Sequence, residues 1–170
     1  MEDLTWTLDL LVLGMQAPEE LSTIATNALV EGFDSDSLRE LAGMLPSQYQ
    51  SARDLFLSVM RELDIPIPTE DQARWNAVRH WALDMVEGRL DPRAASGLIH
   101  WDGWNELDQP KTLAVFAELE DEWDEHEARR PENEQTMIEA ARNLLDQMDS
   151  QRKEIELARP VGIELTTEGL

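Results

Sequence analysis

Residues 47–63 read SQYQSARDLFLSVMREL. Tyr49, Ala52, Leu55, Phe56, Val59, Met60 and Leu63 recur at the i, i+3, i+4, i+7 spacing that puts them on one face of a 3.6-residue helix. The run Ile65-Pro66-Ile67-Pro68 then ends the helix, because proline cannot continue one and restricts the residue before it. No segment of the chain holds a sustained period-two alternation with β-branched residues, so the same reading extends outward in both directions to an all-α fold.

Toward the amino terminus, a helix is expected over 4–13, stopped by Gly14, and a second from Pro18 through Leu21, Ile24, Ala25, Ala28 and Leu29 to Gly32. Asp34 or Ser35 caps a short third helix carrying Leu38, Leu41 and Ala42, closed by Gly43 and Pro46. Toward the carboxyl terminus, Thr69 and Gln72 form a capping box. The helix after it presents Ala73, Ala77, Val78, Trp81, Ala82, Met85 and Val86, and Gly88 ends it. Asp91-Pro92 opens the next, residues 101–105 read as a turn-rich piece, and a helix is expected over 110–128 with Leu113, Phe116, Ala117 and Trp123 inward. Pro131 separates it from the longest helix, 132–158, where Met137, Ile138, Ala141, Leu144, Leu145, Met148 and Ile155 fall near heptad spacing. The expected architecture is one irregular bundle of seven or eight helices over 1–158, with one core and a long last helix. Residues 159–170 form a tail without a stripe.

Composition narrows the partners. The chain has 36 acidic and 14 basic residues and a formal net charge of −22. That charge repels phosphate backbones and anionic lipid, which argues against direct binding to nucleic acid or a membrane surface and points to basic proteins. The same acidity, with only Lys111 and Lys153 as lysines, also fits a compositional bias in which charge serves solubility alone. With no cysteine, no basic leader at Met1-Glu2-Asp3 and no long apolar run, a cytoplasmic protein is expected.

No Gly-rich phosphate cradle, His-Glu-x-x-His, Gly-x-Ser-x-Gly elbow or complete calcium loop occurs, so no cofactor is expected. His80, His100 and His126 lie on three different predicted elements. If they converged, with Asp84 or Glu122 nearby, they would make a zinc-type site with an open fourth position. That metal-binding helical enzyme is one alternative reading. Another is a homo-oligomeric scaffold paired through Met137, Ile138, Leu144, Leu145 and Met148 of the last helix.

The densest charge lies at 118–127, where Glu118, Glu120, Asp121, Glu122, Asp124, Glu125 and Glu127 make seven acids in ten residues. On a helix they cover every direction except that of Leu119 and Trp123, and each i, i+3 or i+4 repulsion costs about 0.2–0.5 kcal/mol. A basic partner would relieve that cost. Trp101 and Trp104, close in sequence, with Trp123, supply anchors of the kind found at interface hot spots.

The stretch 86–92 (Val-Glu-Gly-Arg-Leu-Asp-Pro), the run Val115-Phe116-Ala117-Glu118-Leu119 leading into Glu122-Trp123, and Ala141-Arg142-Asn143-Leu144-Leu145 together resemble a family of small all-helical bacterial proteins with no assigned function. The resemblance covers about half of the chain and implies a helical fold without an activity. The function expected is an acidic protein-binding module, immunity- or antitoxin-like or a mimic of nucleic-acid charge, that inhibits or regulates a basic partner. Glu118, Asp121, Glu122, Glu125, Trp101, Trp104 and Trp123 form its binding surface.

Overall fold

The computed structural model describes residues 2–158, so the tail expected at 159–170 lies outside the described residues. Eight α-helices follow one another in the described chain, and none of its residues forms a strand. They are α1 (Glu2–Val12), α2 (Leu21–Val30), α3 (Asp36–Ala42), α4 (Ala52–Glu62), α5 (Glu70–Val86), α6 (Pro92–Leu98), α7 (Ala114–Glu125) and α8 (Arg130–Ala158).

The starts are fixed by local chemistry. Ser35 Oγ accepts from the Leu38 N–H at 3.2 Å and Asp91 Oδ1 from the Ala94 N–H at 3.0 Å, each satisfying a donor that a first helical turn leaves open. Thr69 Oγ1 accepts from the Gln72 N–H at 3.3 Å, while Gln72 Oε1 accepts from the Thr69 N–H at 2.9 Å, which completes the capping box. Between α3 and α4 the cap becomes tertiary. Glu62 accepts from both the hydroxyl (2.6 Å) and the backbone N–H (3.0 Å) of Ser37, and these bonds hold its carboxyl below its ordinary titration range.

Three expected helices begin differently. At Pro18, Pro46 and Pro110, expected as starts or boundaries, the chain enters through 3-10 turns, Pro18–Glu20, Pro46–Ser51 and Lys111–Leu113, before the α-helix takes over. The helix expected over 110–128 also breaks early. His126 is at φ −132°, ψ 77°, so α7 stops at Glu125, and Pro131 sits inside the first turn of α8 rather than ahead of it. Asp124 and Glu125 lie at the negative end of the α7 dipole, and no basic residue in that last turn offsets them. The piece read as turns at 101–105 is helical as well: α6 runs on into a π-helical segment, Ile99–Trp104. Gly103 lets that segment press against α5, since a Cβ there would stand 2.6 Å from Val78 Cγ2.

Instead of the one core expected, the buried apolar side chains form two clusters. Leu4, Leu8 and Leu11 of α1 join Leu21, Leu38, Phe56, Val59 and Met60 from α2–α4 in the first. The second unites Val78, Trp81, Ile99, Leu113, Phe116, Met137 and Leu144 from α5–α8. Helix α1 serves both, because Trp6 leaves it on another side and packs against the second cluster, as does Leu13 just past its end.

Candidate functional site

Helix α7 is built from the inside by Phe116 and Leu119, which are buried in the second cluster. One of its six acids is also inside. Glu120 is only 7% exposed and ion-pairs with Arg93 from α6, so the acids do not all face solvent as the helical wheel implied. Glu118, Asp121, Glu122 and Glu125 are exposed, and none of them has an ion-pair partner among the described residues. Asp124 lies 3.7 Å from Arg93 and Glu127 lies 3.5 Å from Arg130, both in solvent.

The three tryptophans expected as anchors occupy different environments. Trp101, on the π-helical segment, keeps 62% of its surface exposed. Trp104 is half-buried, and its indole Nε1 is enclosed without a hydrogen-bond partner among the described residues. Trp123 is half-buried under cations of its own chain, with the guanidiniums of Arg93 and Arg130 at 5.8 and 5.3 Å from its ring centroid. Its ring is therefore a cation platform more than a free apolar anchor.

His100 joins these parts. Its ring stacks on Trp101 at 4.5 Å and lies 5.5 Å from Trp104. Burial pushes its titration below the ordinary histidine value and nearby Arg93 acts in the same direction, while the Asp121 carboxylate on α7 pulls it back up. Its Nδ1 is buried without a partner among the described residues. The exposed indole of Trp101 and the outward carboxylate of Asp121 thus flank one enclosed imidazole, in a segment that packs on α7.

The three histidines do not meet. His80, on α5, stacks on Trp6 and places Nε2 3.4 Å from Asp84 Oδ2, and Asp84 in turn accepts from Arg89 Nε at 2.7 Å. His126 is exposed at the break between α7 and α8. No group of three or more His, Cys, Asp or Glu placed to hold a metal ion occurs among the described residues. The residues expected to pair two copies are also engaged within this chain. Met137 and Leu144 are buried, and Ile138, Leu145 and Met148 pack beside them on the second cluster. No helix of the described residues is long and apolar enough to cross a membrane.

A concavity lies elsewhere, away from the α7 face. A cleft of about 460 Å³ opens between α1, the start of α5 and the Ile-Pro-Ile-Pro linker, with Asp9 and Asn76 among its lining. The signal was present: Asp9 interrupts the apolar run Leu8-Asp9-Leu10-Leu11. No family model, curated protein or solved structure gives a significant match to this chain.

Proposed function

We propose that this protein is an acidic binding module that inhibits or regulates a basic protein partner, as immunity proteins, antitoxins and mimics of nucleic-acid charge do, in the cytoplasm. The observation that supports this reading most is the pairing of an exposed indole with unpaired carboxylates. Trp101 is 62% exposed, and the neighbouring α7 presents Glu118, Asp121, Glu122 and Glu125 without ion-pair partners among the described residues. A basic surface would neutralise the carboxylates, whose mutual repulsion is otherwise uncompensated, and Trp101 would supply the desolvated contact that fixes register. The field of such a face speeds association with a cation-rich partner by about ten- to a thousandfold at low salt.

Direct binding to nucleic acid or to anionic lipid runs against the same field. The resemblance to small all-helical bacterial proteins belongs to the proposal only as a statement about fold, because its residues are caps such as Asp91 and core positions such as Phe116 and Leu144.

The test uses the full chain, immobilised and exposed to lysate of its source cells at low salt, with bound protein released by a salt gradient. A single basic protein released stoichiometrically supports the reading if two variants lose it while keeping the wild-type melting temperature. One variant is Trp101→Ala. The other combines Glu118→Gln, Asp121→Asn, Glu122→Gln and Glu125→Gln. Retention of the same partner by both variants would remove this face from the interface.

A further inference from the structure

We propose that the cleft between α1 and the start of α5 binds a small organic cation, an ammonium or guanidinium on a short apolar body, with Asp9 as its counter-ion. None of the residues of the α7 face takes part, so this site stands or falls independently of the reading above.

The cleft measures about 460 Å³, within the roughly 300–1,000 Å³ of small-ligand pockets. One wall is apolar and stiff: Leu8 from α1, and the linker residues Ile65, Pro66, Ile67 and Pro68. Two prolines in four residues fix the linker backbone, so little ordering is needed when a ligand enters. Ile67 keeps 43% of its surface exposed, which leaves an apolar side chain in water at the mouth.

Asp9 supplies the opposite chemistry. It is only 7% exposed, yet it lines the cleft. Its Oδ1 accepts from Asn76 Nδ2 at 3.0 Å, and that is the carboxylate's one hydrogen bond among the described residues. No lysine or arginine of the described chain reaches it. His80 attracts it through space, but the His80 Nε2 is turned to Asp84. Burial outweighs these two favourable influences and holds the Asp9 carboxyl above its ordinary titration range. A buried carboxylate normally has a cation or several donors; this one has a single amide. The other amide at the cleft, Gln72, is already engaged in the capping box of α5.

The ligand class follows from what is missing. An incoming positive charge would find a carboxylate that is already largely desolvated, so ion pairing there is stronger than at a wet surface. A metal ion is a poor fit, because the polar lining is one carboxylate, the amides of Asn76 and Gln72 and the Thr5 hydroxyl, and these do not approach the six to eight oxygens that calcium takes or the octahedral shell of magnesium. An anion meets the wrong charge, and a neutral polar molecule leaves Asp9 uncompensated. An organic cation satisfies Asp9 with its head and covers Leu8, Ile65 and Ile67 with its body.

The test titrates the ¹⁵N-labelled full chain with benzamidine and, in parallel, with its neutral isostere benzamide. Saturable amide shifts confined to residues 5–9 and 65–76, with benzamidine at least about tenfold tighter than benzamide, are expected. Asp9→Asn, which keeps an acceptor for Asn76, should bring benzamidine down to the benzamide level. Ile67→Ala, at an exposed position, should weaken benzamidine severalfold and decides the matter if Asp9→Asn does not fold. Acetyl-arginine methylamide, tested alongside, separates two sources of the same cation: tighter binding than benzamidine assigns the cleft to a partner's arginine side chain, and weaker binding to a free small molecule. Equal affinity for benzamidine and benzamide, undiminished binding by Asp9→Asn, or no shift with any of the three probes up to about 10 mM would overturn the proposal.

Discussion

The imidazole of His80 lies flat against the indole of Trp6, with ring centroids 3.9 Å apart and planes 11° from parallel. The stack ties α1, whose leucines belong to the first apolar cluster, to α5, a main element of the second. Trp6 also meets Trp81 edge-on at 6.5 Å, so one side chain contacts two consecutive residues of α5.

Removing Trp6 should therefore loosen the joint between the clusters. Trp6→Ala is expected to cost about 3 kcal/mol, within the range for truncating a large aromatic side chain. His80→Ala should cost less, and the double variant should reveal a coupling of about 0.5–1.5 kcal/mol. Urea unfolding of the four proteins measures this. A coupling near zero would mean that the stack contributes only through buried area.

Asp9 makes stability fall as pH rises across its titration. Its carboxyl is raised from 3.8, chiefly by burial, so the folded state holds the proton more tightly than the unfolded chain. The stability it contributes is complete below the ordinary aspartate value of about 3.9 and is lost as pH climbs through the raised one. At pH 7 Asp9→Asn should raise the melting temperature, and the gain should vanish at about pH 3.5 and below. His80, Asp84 and Arg89 remain in both proteins, so the difference between the two curves isolates Asp9. A melting temperature lowered at pH 7 would indicate that the carboxylate has a stabilising partner.

The Arg93–Glu120 pair should behave as a half-buried ion pair, since Glu120 is enclosed while the Arg93 side chain keeps 30% of its surface exposed. Arg93→Met leaves the Glu120 carboxylate, 7% exposed, facing an apolar side chain and should cost about 1–3 kcal/mol. It also removes one of the two guanidiniums over Trp123. Adding Glu120→Gln should recover most of the loss, as read by chemical denaturation. A double variant no more stable than Arg93→Met alone would place the cost in the Trp123 contact instead.

Gly103 is required by close approach. A Cβ built there meets Val78 Cγ2 at 2.6 Å, and Val78 is fully buried, so Gly103→Ala should destabilise by about 1–3 kcal/mol. Val78→Ala removes the clashing methyl and should offset part of that cost in the double variant, although it opens a small cavity by itself. Additive losses in thermal melts would show that the π-helical segment yields instead of α5.

Much of the helical order was legible because its causes lie within four residues of their effects. Thr69 with Gln72, Asp91 with Pro92, and the stripe through Phe56, Val59 and Met60 each specify an element locally, and each is present in the structure. The helical wheel of α7 identified the outward carboxylates but misplaced Glu120, since periodicity cannot know that Arg93 waits on the inner side. The turn assigned to residues 101–105 failed for a related reason. Asp and Gly there read as local breakers, whereas the glycine is needed for packing against Val78.

By itself, then, the sequence determined an all-α chain, the placement of most helices, the face that most of them bury and a strongly acidic exterior. Only the tertiary structure decided that Asp9 meets Asn76, 67 residues away, beside an apolar cleft, that His80 rests on Trp6, and that His100 stands between Trp101 and the α7 carboxylates. It also decided that His80, His100 and His126 stay apart. The physical reason is the range of the forces involved: capping and periodicity act within one or two turns, while the meeting of distant side chains depends on how packed helices cross, which the volumes of both cores settle together.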